Sequence, residues 1–241
     1  MNKRCWLIAM MLGALLLPLA ALGEAGKKAV YLTFDDGPKD TTPALVELLE
    51  ELDVPATFFF VGAKVKTYPA EGRLVYEKGY PIGCHTMYHD YSAKKGGADA
   101  VRTDIRAFRR TMRELIDPAF TTDLYRFPGG STSYPGGARR AVQEMGCAWF
   151  DWSAMTGDTL SGQDAQKAYD LVIKEAGDAE VVIILAHEGK RCTMEALPEI
   201  VAHFKDLGYE FRALSTGDED RAILERCPAR MKLPPDEAAG E

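Results

Sequence analysis

The sequence predicts an α/β fold: a distorted, nearly closed (β/α) barrel of seven parallel strands. Short runs of β-branched and aromatic residues alternate with longer stretches whose apolar residues recur at spacings of three and four. That alternation implies parallel pairing through right-handed crossovers. The length of 241 residues, with 46% apolar and 27% charged composition, suits a single globular domain of barrel size. A flat doubly wound sheet is the other arrangement the same order of elements allows.

The predicted strands are 29–34, 56–61, 80–84, 124–127, 147–152, 181–186 and 209–214. The helical stretches between them are 42–52, about 70–78, 99–116, 136–145, 164–176 and 194–207. Leu45, Leu48, Leu49 and Leu52 make one apolar stripe, and Ile200, Val201, Phe204 and Leu207 another. Asp99 and Asp164 stand where N-caps belong, while Gly79, Gly146 and Gly208 follow helices as stops.

The ends of the chain read differently. "MNKRC" is basic, "WLIAMMLGALLLPLA" is apolar and uncharged, and "ALG" supplies small residues before Glu24. Residues 1–23 therefore read as a secretory signal peptide, with an extracytoplasmic location, cell wall or periplasm, as the expectation. An uncleaved membrane anchor is the competing reading; once the segment is removed no membrane span is expected. Residues 24–217 form the predicted catalytic domain, and 218–241 a polar, proline-containing tail with a short helix at most. Cys84, Cys147, Cys192 and Cys227 form no Cys-x-x-Cys pair, which argues against a thiolate zinc site. Export would permit disulfides, and a Cys192–Cys227 bridge would tie down the tail. The net charge of −7, with no basic face, excludes nucleic acid as a partner.

In such barrels chemistry gathers at the C-terminal ends of the strands. There stand Asp35 and Asp36 in "FDDGP", His85 and His89 in "CHTMYHD", Arg126 in "RFPGG", Asp151 and Trp152 in "DWS", and Leu185 and His187 in "LAHEG". Three of the chain's four histidines lie at these positions. Two histidines four apart can present both imidazoles to one point, and a carboxylate from a neighbouring strand completes three ligands with open positions, the layout of a catalytic metal site. If one aspartate of the pair is the ligand, strand alternation turns the other elsewhere, free to act as a base. "DDGP" read alone is equally a turn with solvated charges.

These five motifs, in this order over roughly residues 28–215, resemble the polysaccharide deacetylases of carbohydrate esterase family four, the NodB-homology domain. The resemblance implies a distorted, often seven-stranded (β/α) barrel. It implies Asp35 as catalytic base, Asp36, His85 and His89 as metal ligands, and His187 as general acid. Arg126 would orient Asp35, and Asp151 would support either that arginine or the acid histidine. Trp152 would form an aromatic wall and Leu185 would line the acetyl pocket. Pro128 would border the substrate, and the Gly129 N–H would give a second contact to the oxyanion. The cofactor implied is one divalent metal, Zn2+ first, with Co2+, Ni2+, Mn2+ or Fe2+ able to occupy such a site. The activity implied is hydrolytic removal of N-acetyl groups from a glycan, with metal-bound water attacking the acetamide.

Peptidoglycan, at GlcNAc or MurNAc, is the expected substrate. Chitin oligomers, another exopolysaccharide and acetylated xylan are the alternatives. A non-catalytic glycan-binding module would be expected to lack a ligand, the base or the acid. A small-amide hydrolase would be expected to alter the His-x-x-x-His or Arg-x-Pro motif. Both kinds of loss are absent. Gly129 and Cys84 depart from the family's usual aromatic and asparagine. Tyr134 would either refill the wall opposite Gly129 or be a loop aromatic; Trp149 would either line the interior or pack in the core. The arginines of "VRTDIRAFRR" read first as a solvated helix face, with contact to an anionic wall polymer as the alternative.

Overall fold

The computed structural model describes residues 26–233; the predicted signal segment and the last residues of the tail lie outside them. The first strand, β1 (Ala29–Gly37), is buried along nearly its whole length. It is followed by α1 (Thr42–Glu51), β2 (Thr57–Phe60), α2 (Gly62–Thr67), α3 (Pro69–Glu77), β3 (Ile82–Cys84) and α4 (Ser92–Leu115). Next come β4 (Leu124–Tyr125), α5 (Gly136–Glu144), β5 (Ala148–Phe150), β6 (Ala154–Met155) and α6 (Ala165–Ala176). The chain ends with β7 (Val181–His187), α7 (Arg191–Asp206), β8 (Glu210–Arg212), α8 (Asp218–Leu224) and β9 (Met231–Lys232).

The sheet runs β6-β7-β1-β2-β3-β4-β5-β9. All its pairs are parallel except β5 with β9. One edge of β1 pairs with β7 throughout; the other meets β8 over Ala29–Tyr31 and β2 over Thr33–Gly37. The result is a curled half-barrel, open between β6 and β9 among the described residues. All seven predicted strands are present, and two were not foreseen. β6 and β9 are two residues each, too short to show any alternation.

Alternation along the strands sorts side chains to two faces. Val30, Leu32 and Phe34 of β1, with Val182, Ile184 and Ala186 of β7, pack beneath the helices. Ala29, Tyr31, Phe59, Leu124, Ala148, Phe150, Val181 and Ile183 point to the inner face. Asp35 continues the phase of Tyr31 and Thr33, and Leu185 and His187 continue that of Ile183. The inner face is therefore apolar at the N-terminal ends of the strands and chemical at the C-terminal ends.

Helix ends follow the local chemistry. The Asp164 carboxylate accepts the Lys167 amide at 2.9 Å and caps α6. Asp99 is not a cap: the helix assignment begins at Ser92, with a break at Gly97, and the Asp99 carboxylate pairs with Arg102 at 2.7 Å. Gly79, Gly146 and Gly208, at φ of 78°, 68° and 76°, each sit just past a helix C-cap, as their position predicts.

The segment after Gly217 is not simply a polar tail. Ile223 and Leu224 of α8 are fully buried in the inner core with Ala229 and Leu233. β9 then adds to β5. Burial of each large aliphatic side chain here contributes roughly 1.5–3 kcal/mol. Among the described residues Cys84, Cys147, Cys192 and Cys227 are free thiols, so the Cys192–Cys227 bridge is not formed. Cys192 opens α7, whereas the Cys227 thiol contacts the Ser153 hydroxyl beside β6 at 3.9 Å. Ile223→Ala is expected to lower stability by about 2–5 kcal/mol in urea unfolding. A substitution in a detached tail would be silent.

Candidate active site

Asp35 ends the inner-facing row of β1 and is 2% exposed. Its Oδ1 accepts a hydrogen bond from Arg126 Nη1 at 3.0 Å. Arg126, just past β4, is fully buried. Its Nε donates to the Phe150 carbonyl at 3.0 Å, Nη1 also to the Thr33 hydroxyl at 2.6 Å, and Nη2 to the Asp151 carbonyl at 3.3 Å. Its guanidinium lies 4.2 Å from the Phe59 ring centroid. The expected orientation of Asp35 by Arg126 is thus observed as a direct buried ion pair.

Asp36 does not turn away as simple alternation requires. The β1–β2 register shifts between Asp35 and Gly37, and Asp36 adopts φ 68°. This bulge returns its carboxylate to the same side of the site. Asp36 Oδ1 lies 3.8 Å from His85 Nε2 and 3.5 Å from His89 Nε2, while Asp35 Oδ2 lies 3.6 Å from His85 Nε2. One ligand atom from each of Asp36, His85 and His89 falls within 4.8 Å of the others. His85 Nδ1–H can donate to the Arg126 carbonyl at 2.9 Å, which leaves the Nε2 lone pair facing Asp36. Burial lowers the His85 pKa against the pull of Asp35 and Asp36 and so favours the neutral ring. Burial would raise the Asp36 pKa, but His85, His89, His187 and Lys39 together hold it below the usual range. A neutral imidazole with a fixed tautomer beside an ionised carboxylate is the donor set a divalent cation requires, so these residues fit a metal.

The turn between the histidines has its own support. Asp104 of α4 accepts the Met87 amide at 2.8 Å, and Thr86 Oγ1 accepts the His89 amide at 2.9 Å. Burial pushes the Asp104 carboxyl up to about 6. Cys84 is buried in the helix-side core, apart from the ligands.

His187 pairs in register with Asp35 across β7 and β1, so acid and base candidates are neighbours on adjacent strands. The partner of His187 is Asp158, which sequence reasoning missed. Its Oδ1 accepts from His187 Nδ1 at 2.7 Å; its Oδ2 accepts from the His187 amide at 2.8 Å and the Thr193 hydroxyl at 2.7 Å. That leaves Nε2 of His187 to face the site. Burial would lower the His187 pKa, but the Asp158 hydrogen bond and charge, then Asp35 and Asp36, raise it overall. The only sequence signal for Asp158 is an acid after Gly157 in a short loop, which reads as a turn.

Asp151 takes neither of its two expected roles through its carboxylate. It meets Arg126 only through its backbone carbonyl, and its carboxylate accepts from the Ser131 amide at 2.8 Å and the Ser131 hydroxyl at 2.7 Å. It anchors the loop after Pro128. In that loop the Gly130 amide donates to the Phe127 carbonyl at 2.9 Å, whereas the Gly129 amide has no partner among the described residues. The Gly129 N–H is therefore available to a substrate oxygen. Trp152 shares a cleft of about 270 Å³ with Gly129, Gly130, Thr132, Pro228 and Arg230. Leu185, 6% exposed, lies on the inner face two residues before His187. Tyr134 is not a wall: it is buried, packs on Phe127 at 4.5 Å and donates to the Pro128 carbonyl. Tyr91 stands by Gly129 instead, its ring 3.5 Å from where a Cβ there would sit. Trp149 packs among the helix-side core.

A family model described as polysaccharide deacetylase matches residues 22–149. The chain belongs to this polysaccharide deacetylase family. The deacetylase is 31% identical over 196 residues to a peptidoglycan-N-acetylglucosamine deacetylase of Bacillus cereus, covering 78% of this chain and 69% of that protein. It is 29% identical over 219 residues to the peptidoglycan-N-acetylmuramic acid deacetylase PdaA of Bacillus subtilis, covering 88% and 77%. Its fold is similar to that of a Streptococcus mutans CE4 esterase, at a TM-score of 0.73 and 26% identity, covering 82% and 90%.

In the deacetylase, His187 is expected to titrate above the ordinary imidazole value of about 6.5. Asp158→Asn removes the main opposition to burial, so the titration should move down. NMR of the His187 ring reads this directly, and the alkaline limb of the rate profile should move down with it. An unmoved titration would contradict the pairing.

Proposed function

We propose that the protein is an extracytoplasmic, metal-dependent N-deacetylase of a glycan, with peptidoglycan as substrate. One observation carries the reading: three convergent ligands lie beside an arginine-held carboxylate, whose register partner on the next strand is a carboxylate-held histidine. The basic and apolar N-terminal segment supports export. The names of the Bacillus relatives support peptidoglycan, at GlcNAc or MurNAc.

Asp36, His85 and His89 would hold the cation, Zn2+ first. Such a cation supplies Lewis-acid polarisation of the acetyl carbonyl and acidifies water. Asp35 is the general base: its Oδ1 is engaged by Arg126, and its Oδ2 lies on the His85 side of the site, placed to take a proton from the attacking water. The Gly129 N–H, without a partner among the described residues, would donate to the oxygen that gains charge. His187, oriented by Asp158, which also raises its pKa, donates from Nε2 to the departing nitrogen. The C–N bond then breaks to give acetate and a free amine. Leu185 gives the acetyl methyl an apolar boundary.

Residues 24–241 loaded with zinc should release acetate from purified peptidoglycan. Chelation should abolish release, and Asp35→Asn should lower kcat by about 10²–10⁴-fold. Mass spectrometry of digested strands identifies the sugar attacked. Release from chitin oligomers or acetylated xylan alone would keep the chemistry and overturn the substrate. Silence on all three, with metal bound, would overturn the enzyme reading.

A further inference from the structure

Five non-glycine residues among the described residues adopt a positive φ, and three of them, Thr86, His89 and Tyr91 at 68°, 55° and 57°, lie in or just past the turn that carries His85 and His89. A fourth is Asp36. This region is sterically strained for an L-residue, and it persists only where surrounding contacts hold it. Unwinding of the turn would move the two imidazoles apart. Contacts other than a cation must therefore keep it wound in the metal-free protein.

Inside the turn the His89 amide donates to Thr86 Oγ1 at 2.9 Å. Support from outside converges on Met87, midway between the histidines and 3% exposed. From α4, the Asp104 carboxylate accepts the Met87 amide at 2.8 Å. From α2, the Ala63 amide donates to the Met87 carbonyl at 2.7 Å, and the Gly62 amide to the Thr86 carbonyl at 3.0 Å. The Met87 sulfur fills the space that a Cβ on Gly62 would need, and it accepts the Thr111 hydroxyl at 3.8 Å. Thr111 and Asp104 are seven residues apart, so they share one face of α4. Two helices thus hold the amide, the carbonyl and the side chain of one residue. Asp104 has a further feature: its Oδ2 is buried without a partner among the described residues. An unpaired buried carboxylate oxygen disfavours the fold, and nothing but the bond made by Oδ1 offsets it. A local conflict of this kind marks a residue whose role is functional.

We propose that Asp104 is a positioning residue for metal binding: by holding the Met87 amide it keeps the strained turn wound, so that His85 and His89 converge with Asp36 before a cation arrives. The inference rests on the metal-centre reading and adds a residue outside the ligand set. Ligands already in place need no ordering when the metal binds. Outer partners that orient metal ligands typically change metal affinity by about 10–100-fold.

The test is the zinc dissociation constant, measured by competition with a chromophoric chelator, beside thermal unfolding of the metal-free protein. Asp104→Ala should weaken zinc binding by about 10–100-fold. Asp104→Asn keeps an acceptor oxygen for the Met87 amide and places its NH2 where Oδ2 has no partner, so its zinc affinity should stay within a few-fold of the wild type. Gly62→Ala pushes on Met87 from the α2 side and should weaken zinc in the same direction, which decides the question if Asp104→Ala does not fold. A role in stability alone would lower the unfolding temperature of Asp104→Ala and leave zinc affinity unchanged in the folded variant. That result, or zinc bound as weakly by Asp104→Asn as by Asp104→Ala, or a Gly62→Ala variant as tight as the wild type, would overturn the inference and leave the metal centre standing. A wild type that binds no zinc would overturn both.

Discussion

The buried guanidinium of Arg126 is the constraint on which the site depends. A fully buried arginine is tolerated only when its donors are met, because an unpaired charge in the interior costs several kcal/mol. Arg126 meets this with hydrogen bonds to Thr33, Asp35, Phe150 and the Asp151 carbonyl. Those partners belong to the ends of β1 and β5, while the Thr33 hydroxyl in turn donates to Ile184 of β7 at 2.7 Å. One side chain therefore sets the relative positions of strands that carry the base, the acid and the anchored loop. Its own carbonyl faces Nδ1 of His85, which extends the same control to a ligand.

Two adjacent aspartates take different tasks because the backbone treats them differently. Asp35 keeps strand geometry and meets Arg126; Asp36 sits on the bulge at positive φ and meets the histidines. A non-glycine residue there carries local strain. The strand end is pinned by Glu188, which fills the space a side chain at Gly37 would need, and by the Glu188 amide, which donates to the Asp35 carbonyl at 3.1 Å. The Asp158–His187 pair then completes an environment with one base, one acid and three cation ligands beside the base.

Much of this was legible in the sequence. β1 and β7 are long enough to display alternation, and that alone puts Asp35, Leu185 and His187 on one face. The histidine spacing, Arg126 and the glycine stops carry their own chemistry. What was not legible depends on contacts between distant segments or on elements too short for a pattern. Asp158 is named as the partner of His187 only by the fold, since they are 29 residues apart and a loop acid looks the same whether paired or solvated. Asp151 stands in the expected place, but its backbone rather than its carboxylate holds Arg126. β6 and β9 have no periodicity, and the burial of Ile223 and Leu224 is invisible in a polar stretch. Alternation misjudged Asp36 because a single left-handed residue reverses the phase.

The central claim is that Arg126, by its fixed fork of donors, holds Asp35 in the geometry of a base. Arg126→Lys keeps the charge and removes the fork. Its kcat for acetate release, measured beside bound-zinc stoichiometry and thermal unfolding, is the most direct test. The account predicts a fall of about 100-fold or more in kcat with the fold and one zinc per chain retained. A folded, zinc-loaded variant turning over within a few-fold of the wild type would contradict it.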